Sequence, residues 1–120
     1  MDIRIKRAYE SAARSDGPRV LVDRIWPRGV SKADADIAHW FKGLAPSTEL
    51  RKWFGHDPDK WPEFQARYLK ELQQQAAADE VHALKALLEE HNRITLVFAA
   101  RDTEHNNAVA LRGYLLNDQL

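Results

Sequence analysis

Apolar and polar residues alternate near the start of the chain. In IRIKRAY, Ile3 and Ile5 interleave with Arg4 and Lys6, the period of two expected of a strand with one wet face. Ser15 to Pro18 has turn chemistry, and Gly17 there is free to take a positive φ. RVLVDRIW, beginning at Arg19, is an apolar run that ends in charge, which suits a buried central strand stopped by Pro27 and Gly29. RITLVFAA, beginning at Arg93, is bulky, β-branched and of strand length.

Helical signals fill the space between these runs. Ser31 and Asp34 form an S-x-x-D pair that predicts a short helix over ADIAHWF. LAPSTELRKWFG predicts another, with Pro46 at its start, Leu50, Trp53 and Phe54 on one face, and Gly55 as its stop. Asp59 is expected to cap a third, in which Trp61, Phe64, Tyr68 and Leu72 recur at helical spacing. QQQAAADE reads as a helix end and joint. Asp79 is expected to cap a fourth helix with Val81, Leu84, Leu87 and Leu88 inward. A final helix over RDTEHNNAVALRGYLL is expected to begin at Asp102 or Thr103.

Strands separated by helices require crossover connections, and hence a mainly parallel sheet with helical cover. The expectation is an α/β fold: one domain over residues 1–120, about three strands and about five helices. There is no internal repeat.

Composition narrows the function classes. The 120 residues carry 18 Lys and Arg against 18 Asp and Glu, a net charge of zero, so the whole molecule has no long-range pull on nucleic acid or membrane. The distribution is uneven: residues 1–32 hold eight basic and four acidic side chains, and residues 61–92 hold three and six. With no cysteine, disulfides, thiolate metal sites and a thiol nucleophile are excluded. MDIRIKRAYE has no apolar run of signal-peptide length, and no stretch is long enough to span a membrane. A cytoplasmic protein is therefore expected, its oligomeric state left open.

The candidate chemistry lies where two strands end alike. VLVDR closes on Asp23 and Arg24, and LVFAARD closes on Arg101 and Asp102. In open parallel sheets, ligands sit just beyond the carboxyl ends of the strands. If these two strands are neighbours, the four residues converge. Arg28, beyond the rigid Pro27, could fold over the same place. Lys32, at the start of the first helix, would add charge near backbone amides that favour anions. Trp26 could wall the pocket. The expectation is an anionic small molecule, or a phosphate-containing ligand such as a nucleotide, held by Arg24, Arg28, Lys32 and Arg101 through guanidinium forks and point charge. The acids would orient the arginines or act on the ligand. The bland alternative is a structural ion-pair network that closes the top of the sheet.

Catalytic groups are not identifiable by motif; Asp23, His56 and Asp102 are the candidates if chemistry occurs. FGHDP puts His56 beside Asp57, but a Gly-x-Asp-Pro string is turn chemistry first. None of the five histidines falls in a metal-ligand spacing, so no metal and no cofactor is expected. No G-x-S-x-G elbow, P-loop or G-x-G-x-x-G occurs. The competing function class is a non-enzymatic nucleic-acid-binding or regulatory module. Its support is the basic set Arg4, Lys6, Arg7, Arg14 and Arg19, and its weakness is the neutral total charge.

LVDRIWPRGVSK, LAPSTELRKWFGHDPDKWPEF and TLVFAARDTEHNNAVALRGYL together resemble the YeaO-like branch of the family known as domain of unknown function 488. The likeness covers nearly the whole chain in order, and WPRG and WFGHDP are unusual strings. It implies that Asp23, Arg24, Pro27, Arg28, Gly29, the Trp53–Pro58 string, Asp102 and Asn106 belong to family motifs, without assigning any of them a ligand. Related branches carry cysteine and histidine near the end of the last strand. This chain has AARD there, so thiol or metal chemistry does not carry over.

Overall fold

The computed structural model describes residues 2–120. Four strands form one sheet: β1 (Asp2–Arg7), β2 (Arg19–Leu21), β3 (His39–Trp40) and β4 (Arg93–Phe98). Their spatial order is β1-β4-β2-β3, and every neighbouring pair is parallel. The helices are α1 (Lys32–Ala35), α2 (Thr48–Phe54), α3 (Trp61–Leu72), α4 (Gln75–Glu90) and α5 (Asn107–Leu116). The fold is α/β, as the alternation of element types predicts.

The β-branched run of β4 lies between β1 and β2 and is buried from Ile94 onward, as a central parallel strand requires. Side chains of alternate residues face opposite sides of the sheet. Ile3, Val20, Val22, Ile94, Leu96 and Phe98 form one core with Leu50, Phe54, Phe64, Tyr68, Leu84 and Leu111 from α2 to α5. The opposite face is thinner. There Ala8, Leu21 and Val97 meet Trp26, Ile37 and Trp40 from the connections around α1. Arg19 also belongs to that side, buried and bound to Asp16 at 2.8 Å and to the Ala35 carbonyl at 2.8 Å.

Several local expectations are corrected. The stretch ADIAHWF is not one helix. Ser31 does accept the Asp34 amide, but α1 ends at Asp36, which is left-handed at φ 48°. His39 and Trp40 then pair with Val20 and Leu21 as a fourth strand. Only Arg19–Leu21 of the second apolar run pairs as strand. Helix α2 is entered after Pro46, as expected, with Ser47 as its cap, and Gly55 stops it in the left-handed region. Asp59 caps nothing; Asp57 caps the short 3-10 turn that leads into α3. Helix α4 begins at Gln75, so Asp79 lies inside it. Helix α5 begins after Asn106, whose side chain accepts the Val109 amide, rather than at Asp102 or Thr103.

Gly17 closes the turn into β2 at φ 64° and ψ −161°, a conformation almost confined to glycine. A Cβ there would lie 2.3 Å from the Arg93 carbonyl oxygen. Gly17→Ala should therefore cost about 2 kcal/mol or more in urea unfolding. Gly29→Ala, also at positive φ but with nothing within 4 Å of the new methyl, should cost only about 1 kcal/mol. Equal costs at the two sites would refute the close approach of Gly17 to β4.

Candidate functional site

The two strand tips meet because β2 and β4 are paired neighbours. The Val22 amide donates to the Val97 carbonyl at 3.2 Å, extending the ladder one residue past β2. Asp23 continues it with a side chain: its Oδ2 accepts the Ala99 amide at 2.9 Å. Its Oδ1 accepts the Asn107 amide at 3.1 Å, and the same Asn107 nitrogen donates to the Val22 carbonyl at 2.8 Å. The Asp23 carbonyl accepts the Trp40 indole at 2.7 Å. One residue thus joins β2, β4, the segment at β3 and the start of α5. Burial raises the Asp23 carboxyl above its ordinary value of 3.8. The Asn107 and Ala99 hydrogen bonds and the charge of Arg51 oppose that shift without cancelling it.

The Asp102 carboxylate is also committed. Oδ1 accepts the Glu104 amide at 2.9 Å and the His105 amide at 3.1 Å. Oδ2 lies 2.9 Å from His105 Nδ1. The Glu104 amide and then the His105 side chain lower its pKa, with burial opposing them. Asn106, buried beside it, donates to the Asp102 carbonyl at 2.9 Å while capping α5. Neither acid contacts an arginine, so they do not orient guanidinium groups as the strand endings suggested. Among the described residues, the Asp102–His105 pair stands alone at this end of the sheet, and no Asp–Arg network closes it.

Above these contacts opens a cavity of about 760 Å³ at the carboxyl ends of β1, β4 and β2. Arg24, Arg28 and Arg101 line it with Asp23, Asp102, Trp26 and His56. Lys32 does not; it sits exposed at the first position of α1. Ala45, Pro46, Phe54, Phe64, Ala99 and Ala100 supply an apolar part of the lining. The Trp26 indole donates to the Val30 carbonyl at 2.7 Å and meets Trp40 edge-on at 5.5 Å between centroids, which braces the loop that carries Arg24 and Arg28. His56 is exposed at φ 59° after Gly55, and Asp57 accepts the Asp59 amide at 3.0 Å, so this string shapes a turn at the cavity's edge. Among the described residues, no three His, Asp or Glu side chains are grouped as a metal ion would need.

Besides the apolar residues, three polar side chains of the lining escaped the sequence reading: Tyr9, Arg51 and His105. Tyr9 carried a signal, since it directly follows β1 and the strand-end rule applies to that strand equally. His105 also did, three positions after Asp102. Arg51 carried none, because it lies on the exposed side of α2 and reaches the cavity only through packing. Arg24, Arg28, Arg51 and Arg101 are all exposed, and among the described residues none has a carboxylate within 4.0 Å.

The basic N-terminal residues are mostly engaged elsewhere. Arg19 and Lys6 hold Asp16, Arg4 lies 3.6 Å from Asp2, and Arg7 binds the Ala100 and Ala99 carbonyls at 2.9 and 3.2 Å. No helix is long and apolar enough to cross a membrane among the described residues.

The pKa of Asp23 sets a sign for pH dependence. A carboxyl raised on folding favours the folded state below its unfolded pKa, and that contribution is lost as pH rises through the folded value. From about pH 4 to about pH 7, the wild type should lose stability relative to Asp23→Asn. Denaturant midpoints of both proteins across that range test this. A relative gain would show that Asp23 is stabilised as the anion.

A family model described as the inactive DUF488-N3 subclade matches residues 2–120. The uncharacterized protein Rv3073c of Mycobacterium tuberculosis (strain ATCC 25618 / H37Rv) is 42% identical over 115 residues, covering 96% of this chain and 93% of that one. The uncharacterized protein YeaO of Escherichia coli (strain K12) is 39% identical over 115 residues, covering 96% and 97%. No solved structure matches the chain significantly.

Proposed function

The chain belongs to the DUF488 family, in the subclade described as inactive, and from that premise we propose that its cavity binds an anionic small molecule without turning it over. One observation carries the reading. Four guanidinium groups line one cavity with no carboxylate within 4.0 Å among the described residues, while both acids in that cavity are held by amides and an imidazole. Unpaired arginines at the carboxyl edge of a parallel sheet suit a phosphate or carboxylate, which a planar guanidinium grips through two hydrogen bonds.

The absence of turnover has a chemical rationale in the lining. It contains no Cys, Ser, Thr or Lys, four of the side chains that form covalent intermediates, and the Asp102 carboxylate is held by the Glu104 and His105 amides. Asp23 has both oxygens occupied by donors, so it acts as a structural bridge. The cytoplasm fits as the location, since a chain without cysteine needs no oxidising compartment.

Calorimetric titration with a panel of nucleoside monophosphates and sugar phosphates tests the reading. Arg24→Ala and Arg101→Ala should each weaken the best binder about tenfold or more, the effect of losing one charge-assisted contact. Arg14→Ala, near the opposite edge of the sheet, should change nothing. Equal affinity in wild type and both cavity variants would remove the anion site.

A further inference from the structure

Beside the buried Phe54 and Phe64, the cavity carries two aromatic side chains outside the main core, Tyr9 and Trp26, that the protein holds in place. Tyr9 follows β1 and Trp26 follows β2, so they flank the tip of β4, where Ala99 and Ala100 line the cavity. Each ring is braced. The Arg7 guanidinium, anchored on the Ala99 and Ala100 carbonyls, lies 5.0 Å from the centroid of Tyr9. The Trp26 indole is fixed by Val30 on one side and by the Trp40 ring on another.

Tyr9 is nevertheless 49% exposed, one of three large apolar side chains left open to solvent among the described residues. No packing need explains a ring held there by a guanidinium that is itself bound to the floor of the cavity. Rings fixed before binding lose little freedom when a ligand stacks on them. The size agrees: about 760 Å³ falls in the range of sites for drug-sized ligands, roughly 300–1,000 Å³. A lone inorganic anion would leave the alanine and phenylalanine part of the lining in water.

Resting on the anion reading above, we propose that the ligand is an aryl- or nucleobase-bearing phosphate or carboxylate of mononucleotide size. Its flat ring packs against Tyr9 and Trp26, and its anionic group reaches the arginines that follow β2 and β4. Ring stacking supplies the selectivity and the guanidinium groups supply the charge complement.

Four probes separate these contributions: AMP, phenyl phosphate, ribose 5-phosphate and inorganic phosphate, titrated by calorimetry into wild type, Tyr9→Leu and Tyr9→Phe. AMP and phenyl phosphate should bind about tenfold or more tighter than the two ring-free anions. Tyr9→Leu should lower affinity for the ring-bearing probes about tenfold and leave ribose 5-phosphate unchanged, while Tyr9→Phe keeps wild-type affinity. If ribose 5-phosphate binds as tightly as AMP, or Tyr9→Leu weakens all probes equally, the ring site is overturned and the anion reading stands. If none of the four binds, the anion reading falls and takes the ring site with it.

Discussion

The pairing of β2 with β4 is the constraint on which the cavity depends. β2 is only three residues long, and its backbone ladder ends one step later at Val22. Asp23 then bridges to Ala99 through its side chain, which holds the two tips together where the backbones part. A carboxylate in that position pays for desolvation, and the Ala99 and Asn107 amides offset part of the cost. Because Asn107 opens α5, the same contact fixes where that helix starts relative to the sheet.

That arrangement separates charges that sit side by side in the sequence. Asp23 turns inward and Arg24 outward; Asp102 closes its own turn and Arg101 stays exposed. At these strand ends the acids have amide and imidazole partners, which leaves the neighbouring guanidinium groups without them. The N-terminal basic residues show the converse. Lys6 and Arg19 share Asp16, and Arg7 is bound to carbonyls, so the local excess of positive residues does not translate into an equal excess of free ones.

Much of the fold was legible. The alternation in β1, the unbroken run in β4 and the helical stripes of α2 and α3 are patterns within single segments, and each formed as read. Likewise, the convergence of Asp23, Arg24, Arg101 and Asp102 on one cavity followed from the likeness of two strand endings. The reading failed where a local signal had a nearby competitor. ADIAHWF has helical spacing, but Asp36 ends the helix in a left-handed turn and the open edge of β2 takes His39 and Trp40 as a strand. Asp59 and Asp79 are good capping residues by type, yet Asp57 supplies the preceding turn and Gln75 starts α4 a turn early.

What the sequence by itself determined is most of the elements, their α/β order and the side-chain types at the strand ends, because periodicity and side-chain type act over a few neighbouring residues. The tertiary structure alone decided which charged groups are free, that Arg51 shares a cavity with Arg24 and Arg101, and that Lys32 does not. The reason is physical. A side chain's partners are the groups nearest in space, and those distances are set by strand pairing and helix packing between segments far apart in the chain.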